Sequence, residues 1–130
     1  AERHFGEDVI VHRKGATSAS DGEIGIIPGS MGTNSYIVRG KGSADSFASC
    51  SHGAGRAMSR TAARKTIAQD DFERALAHTF TRAARGYIDE APQSYKDVDE
   101  VVRRQTDLVD TVHVLRPIIT LKGDSKARDD

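Results

Sequence analysis

Short apolar stretches broken by glycine and serine fill the first half of the chain, and apolar residues at helical spacing fill the second. Val9 to His12 reads as a short strand, followed by the loop Arg13-Lys14-Gly15-Ala16-Thr17 and a Ser/Gly/Asp-rich turn from Ser18 to Gly22. Ile24 to Ile27 is predicted as a second strand, ended by Pro28-Gly29, and Tyr36 to Arg39 as a third, after the polar loop Ser30 to Ser35. Beyond the turn Gly40-Lys41-Gly42-Ser43, Ser46 to Ser51 is predicted as a strand ending at His52. Met58 to Ile67 then reads as helix. Phe72, Ala75, Leu76, Thr79 and Ala83 share one helical face behind an Asp70-Asp71 start. Asp97 opens another helix, with Glu100 as its capping-box partner, burying Val98, Val101, Val102, Leu108 and Val109. Ala91 to Tyr95 connects the two helices, and Val112 to Leu121 reads as a closing strand in which Pro117 marks an edge or a bulge. The pattern predicts an α+β fold: a β-rich N-terminal half with Gly-rich loops, a helical C-terminal half and a final strand. Residues 1–123 form one unit, followed by a disordered polar tail over 124–130.

At 130 residues the chain is long enough for one real core. The formal net charge is zero, so no global field draws it to nucleic acid. Anion binding must come from local clusters: Arg13-Lys14, Arg56 with Arg60 and Arg64, and Arg103-Arg104, the last a solvated helix face. An aromatic fraction of 5% without Trp argues against a surface that stacks many bases. One cysteine excludes an internal disulfide framework and points to a reducing, cytoplasmic setting. No apolar run reaches the ~20 residues of a membrane span. The start lacks both an initiator Met and a secretory apolar segment, and reads as cut from something longer.

The stretch Cys50-Ser51-His52-Gly53-Ala54-Gly55-Arg56 carries the most chemical information. One histidine stands at the mouth of a run of tiny residues with Arg56 directly behind and Arg60 four residues on. Such small residues let backbone N–H groups approach a ligand closely, and a run that opens a helix forms an anion site. A histidine beside a bound phosphate is either a donor to it or a nucleophile toward it. The bland alternative is a histidine that satisfies a local hydrogen bond. Pro28-Gly29-Ser30-Met31-Gly32 reads either as a turn alone or as a second ligand loop, with Ser30 and Ser35 as hydrogen-bonding groups. Cys50 falls on the strand face of His52, which leaves a Cys/His pair conceivable beside a small buried thiol. His4, His12, His78 and His113 lack metal-ligand spacing, and no P-loop motif is present. Spacing thus leads to a phosphate or nucleotide site around His52.

Several boxes together resemble one family. They are His12-Arg13-Lys14-Gly15-Ala16-Thr17, Ile27-Pro28-Gly29-Ser30-Met31-Gly32 and Ser35-Tyr36-Ile37-Val38-Arg39-Gly40, then Ser49-Cys50-Ser51-His52-Gly53-Ala54-Gly55-Arg56. Met58-Ser59-Arg60, Tyr95-Lys96-Asp97 and Leu121-Lys122-Gly123 complete the set, which is similar to the C-terminal portion of the RtcB-type RNA ligases. These join an RNA 3′-phosphate or 2′,3′-cyclic phosphate to a 5′-hydroxyl. The resemblance implies that His52 attacks the α-phosphate of GTP and carries GMP. It implies that Pro28, Gly29, Ser30, Met31 and Ser35 form the guanylate loop, that Gly53, Ala54 and Gly55 run along the nucleotide, and that Lys122 lies at the guanine. Tyr95 would wall the pocket, and Arg56 and Arg60 would hold RNA phosphates. Proteins of this type hold manganese with Asp, Cys and His residues upstream of the position of Ala1, so no residue here is assigned to metal. His12 does not fall on a ligand position, and Ala48 stands where relatives often carry Cys.

The expected partners are RNA with 3′-phosphate and 5′-hydroxyl ends and the rest of the ligase chain, with no membrane. The isolated segment is expected to be inactive and, with strands that pair elsewhere, to expose apolar surface. The alternatives are a non-catalytic nucleotide- or RNA-binding piece of a split protein, and a phosphatase or cyclic phosphodiesterase using His52 as acid or base.

Overall fold

The computed structural model describes residues 1–83 and 85–122. The polar tail expected over 124–130 lies outside the described residues. Strands and short helices alternate, giving the expected α+β architecture. Strands β1 (Glu2–His4) and β2 (Glu7–Val9) form a hairpin. Its two-residue turn, Phe5-Gly6, has φ of 52° and 84°. Positive φ at both turn residues matches the right-handed twist of the flanking strands. Pairing therefore begins earlier than the apolar run predicts, and Ile10 to His12 lie outside the strands.

Strands β3 (Ala16–Ser18), β4 (Ile24–Ile27), β5 (Ser35–Gly40), β6 (Ser49–Ser51) and β7 (Val109–Leu115) complete the sheet structure. β3 pairs with β6, and β4, β5 and β7 form an antiparallel sheet in that order. β6 is shorter than expected because Ala44–Ser46 winds into a 3-10 turn, after which Phe47 and Ala48 adopt φ of 54° and 48°. β7 starts at Val109 and stops before Pro117, which cannot donate to a ladder; it occupies an edge, with a register shift opposite Ile37 and Val38.

The helices are α1 (Arg60–Thr66), α2 (Gln69–Leu76) and α3 (Val98–Arg103). α2 buries Phe72 and Leu76 as its spacing predicts, but ends at Leu76, where the Thr79 hydroxyl donates to the Leu76 carbonyl at 2.9 Å. Thr79 and Ala83 thus fall outside the helix. Asp97 caps α3 by accepting from the Asp99 amide at 2.9 Å, while Glu100 turns to Arg103 and Arg104, so the reciprocal half of the capping box is missing. Val109, expected on this helix, belongs to β7.

Two cores result. One gathers Ala19, Ile27, Tyr36, Val38, Cys50, Val98, Val102 and Val109 between sheet and α3. The other gathers Met31, Phe72, Leu76, Ile88 and Ala91. The loop from Pro28 to Ser35 leaves the first core at Ile27, plants Met31 in the second and returns at Tyr36. At Gly32 an added Cβ would lie 2.9 Å from both the Ala75 carbonyl oxygen and Leu76 Cδ2, so the loop tip sits tightly on α2. The opposite sheet face leaves Ile24 and Ile26 more than half exposed, the apolar surface the pattern led one to expect. No helix among the described residues is long and apolar enough to cross a membrane.

Phe72 is fully buried at the centre of the second core. Phe72→Ala is therefore expected to cost about 3–5 kcal/mol of unfolding free energy in a urea titration. An unchanged midpoint would show that this core is not packed.

Candidate functional site

The main chain around His52 is pinned from both sides. β6 ends at Ser51, whose amide donates to Oε1 of the buried Gln105 at 3.0 Å. The His52 amide donates to the Gly15 carbonyl at 3.3 Å, and the Ser51 hydroxyl donates to the Gly53 carbonyl. This turn carries His52 out of the strand. It is exposed, and among the described residues its ring makes no side-chain hydrogen bond. Cys50, by contrast, is buried in the first core, where burial pushes its thiol above the ordinary value. The conceivable Cys/His pair is therefore absent: the alternation that would align them stops at Ser51.

His52 borders a cleft of about 260 Å³ lined by Pro28, Gly29, Gly53, Ala54, Gly55, Arg56 and Tyr95. Both glycine-bearing boxes thus meet in one place. They meet without a helix N-terminus, contrary to expectation. α1 starts only at Arg60, with the Ser59 hydroxyl accepting from the Ala62 amide at 3.1 Å. The Gly-rich run instead lies along Tyr95: the Lys96 amide donates to the Gly55 carbonyl at 2.9 Å, and Arg56 and Tyr95 form an antiparallel bridge.

The glycines serve different ends. At Gly29 an added Cβ would fall on the Asn34 carbonyl oxygen and 2.6 Å from Thr33 Oγ1, so the loop itself excludes a side chain. Gly55 has φ of +74°, a backbone that favours glycine. Gly53 has neither reason: a Cβ there would lie 3.6 Å from the Pro28 carbonyl, an ordinary contact. Its missing side chain leaves the backbone open to the cleft. Ser35 Oγ accepts from the Gly29 amide at 3.0 Å, and Ser30 bonds Thr33 through both amide and hydroxyl, at 2.6 and 3.0 Å. Met31 is buried and its carbonyl accepts from the Thr120 hydroxyl at 2.9 Å, so its side chain lies away from the His52 cleft.

Behind the cleft lies an ionic cluster that sequence patterning missed. Asp89, with a side chain only 3% exposed, accepts from Arg60 at 2.7 Å and Arg64 at 3.2 Å, and its carbonyl accepts from Arg56 at 2.6 Å. Burial pushes the Asp89 carboxyl up, but hydrogen bonds from Arg60 and Arg64 outweigh it and hold the group below its usual value. Glu90 accepts from the Tyr95 hydroxyl at 2.6 Å and pairs with Arg60, Arg56 at 3.7 Å and Lys122 at 3.4 Å. Burial raises its carboxyl too, and the Tyr95 bond with the Lys122 and Arg60 charges brings the balance below the usual value. The Arg56 guanidinium also lies 4.9 Å from the centre of the Tyr95 ring. The only sequence signal was two adjacent acids in a segment without periodicity, some 30 residues from the arginines they neutralise.

Lys122 lines a neighbouring cleft of about 340 Å³ with Met31, Tyr87 and Thr120. Arg13 is not part of a phosphate loop. It binds Glu2 at 2.5 and 2.8 Å, Ser49 Oγ at 2.8 Å and the Phe47 carbonyl at 3.1 Å. The Arg13 and His4 hydrogen bonds lower the Glu2 carboxyl to about 2, so this arginine anchors the N-terminal hairpin. Among the described residues no three His, Cys, Asp or Glu side chains gather as a metal cage. These side chains do not fit manganese.

A family model described as tRNA-splicing ligase RtcB matches residues 1–123. The chain is 54% identical over 122 residues to the RNA-splicing ligase RtcB of Escherichia coli K12, covering 94% of this chain and 30% of that protein. It is 40% identical over 139 residues to the tRNA-splicing ligase RtcB of Methanopyrus kandleri, covering 88% and 14%, respectively. For the tRNA-splicing ligase RtcB of Nanoarchaeum equitans the identity is 37% over 138 residues, covering 90% and 29%. The chain thus spans less than a third of the length of these relatives.

The two cleft glycines separate experimentally. Gly53→Ala is expected to stay within about 0.5 kcal/mol of the parent in denaturant unfolding. Gly29→Ala is expected to lose on the order of 2 kcal/mol through overpacking. Equal losses would contradict this division.

Proposed function

The chain belongs to the RtcB family, and from that premise we propose that it supplies the guanylate-accepting part of a GTP-dependent RNA ligase. The observation that carries this reading is the exposed, unengaged His52 ring at the rim of a cleft floored by main chain from Pro28-Gly29 and Gly53 to Gly55. A neutral imidazole nitrogen is a competent phosphorus nucleophile and, once protonated, a good leaving group. In the first step a nitrogen of His52 attacks the α-phosphorus of GTP; a P–N bond forms as the P–O bond to pyrophosphate breaks. In the second, an RNA 3′-phosphate oxygen takes the GMP from His52. In the third, the RNA 5′-hydroxyl attacks the activated 3′-phosphate, forming the phosphodiester and releasing GMP.

Pro28, Gly29, Ser30 and Ser35 form the loop beside the nucleotide, with Met31 holding that loop to the second core, and Gly53, Ala54 and Gly55 leave room along the phosphates. Lys122 lies at the guanine. Arg56 and Arg60 serve the RNA phosphates, and the surrounding charges favour this. The four cations Arg56, Arg60, Arg64 and Lys122 face the two carboxylates of Asp89 and Glu90, leaving a positive surplus. The Arg60 side chain is 56% exposed, open to a phosphate from solvent.

Manganese, which the resemblance implies, is assigned to residues of the ligase outside these 130 positions, and no step is drawn through it. The single buried thiol suits the cytoplasm. A second reading is a non-catalytic nucleotide- or RNA-binding piece of a split protein, which affinity for guanosine nucleotides without adduct formation would favour.

With labelled GTP and Mn²⁺, the full-length ligase carrying this segment is expected to form a covalent GMP adduct that disappears in His52→Ala. Persistence of the adduct would reject the assignment. The isolated chain is expected to form none, and ligation by these 130 residues alone would overturn the need for outside ligands. Release of inorganic phosphate without guanylylation would favour a phosphatase.

A further inference from the structure

Two clefts flank one half-buried carboxylate. On one side lies the His52 cleft, walled by Arg56 and Tyr95; on the other lies the cleft of Lys122, Met31 and Thr120. The loop that begins at Pro28-Gly29 borders the first cleft and reaches the second at Met31. Glu90 reaches both. Its Oε2 accepts from the Tyr95 hydroxyl at 2.6 Å and lies 3.4 Å from Lys122 Nζ, while its Oε1 takes Arg60 and lies 3.7 Å from Arg56. Asp89 does not share this role, since its carboxylate pairs with Arg60 and Arg64 on the side of α1.

We propose that Glu90 is a positioning residue for nucleotide recognition, fixing Lys122 and the Tyr95–Arg56 wall relative to each other so that the two clefts accept opposite ends of one guanosine nucleotide. The proposal rests on the ligase reading above and adds a specificity determinant to it. Lys122 carries its charge on a flexible four-carbon stem, and without a counter-charge the ammonium has no fixed place. Tyr95 likewise owes its hydroxyl orientation to the same carboxylate. Glu90 itself touches neither the reacting phosphorus nor His52, so its loss should weaken binding and base discrimination more than the chemical step.

The test measures adduct formation against GTP and ATP concentration in the full-length ligase carrying Glu90→Ala or Glu90→Gln. Glu90→Ala is expected to raise the half-saturating GTP concentration roughly tenfold and to reduce the preference for GTP over ATP, with the maximal rate held within about twofold. Glu90→Gln keeps an oxygen for Tyr95 but loses the charge, and is expected to fall between the two. If Glu90→Ala melts early, Glu90→Gln carries the comparison. Wild-type half-saturation and base preference in the glutamine variant would overturn the proposal, as would a lower maximal rate with unchanged half-saturation. Equilibrium binding of a fluorescent GTP analogue reads the same shift without chemistry. A parent protein that binds GTP and forms no adduct would therefore count against the ligase reading alone.

Discussion

The site depends on how the main chain is held on either side of His52. The Gly15 carbonyl takes the His52 amide, the Gln105 side chain takes the Ser51 amide, and the Ser51 hydroxyl closes back on Gly53. Three backbone contacts thus hold the chain beside a ring that, among the described residues, makes no side-chain hydrogen bond, so the imidazole is presented on a fixed anchor. Gln105 lies just past α3 and Gly15 just before β3, so the first core itself sets where the imidazole stands.

The second support is electrostatic. Asp89 and Glu90 gather three arginines, a lysine and a tyrosine behind the cleft. An arginine cluster without such acids would be pushed apart by like charge; one fully neutralised would not draw an anion. Here two carboxylates order four cations and leave a net positive patch. The same acids connect α1, Tyr95 and the C-terminal segment at Lys122, so the ordering is structural as well as electrostatic.

What the sequence disclosed follows from range. The strands Ile24–Ile27 and Ser35–Gly40 and the buried face of Phe72 and Leu76 come from neighbours along the chain, and these were legible. The meeting of the two glycine boxes at one cleft followed from the resemblance, since by spacing Pro28 to Gly32 reads equally as a turn. Element ends were less so. The Phe5-Gly6 hairpin, the left-handed Phe47-Ala48 pair and the early stop of α2 are set by local turn geometry that apolar periodicity does not register. Arg13 reads as half of an anion cluster with Lys14 and is instead engaged by Glu2, 11 residues earlier. The Asp89–Glu90 hub and Gln105 were invisible because, apart from the Tyr95–Glu90 bond, each acts on residues 25 to 54 positions away in sequence.

The most direct measurement is to locate the guanylyl group itself. Peptide mapping by mass spectrometry of the full-length ligase after reaction with GTP is predicted to find the GMP mass on His52, through a bond that is lost in acid and survives alkali. GMP on a lysine, or on any histidine other than His52, would contradict the account.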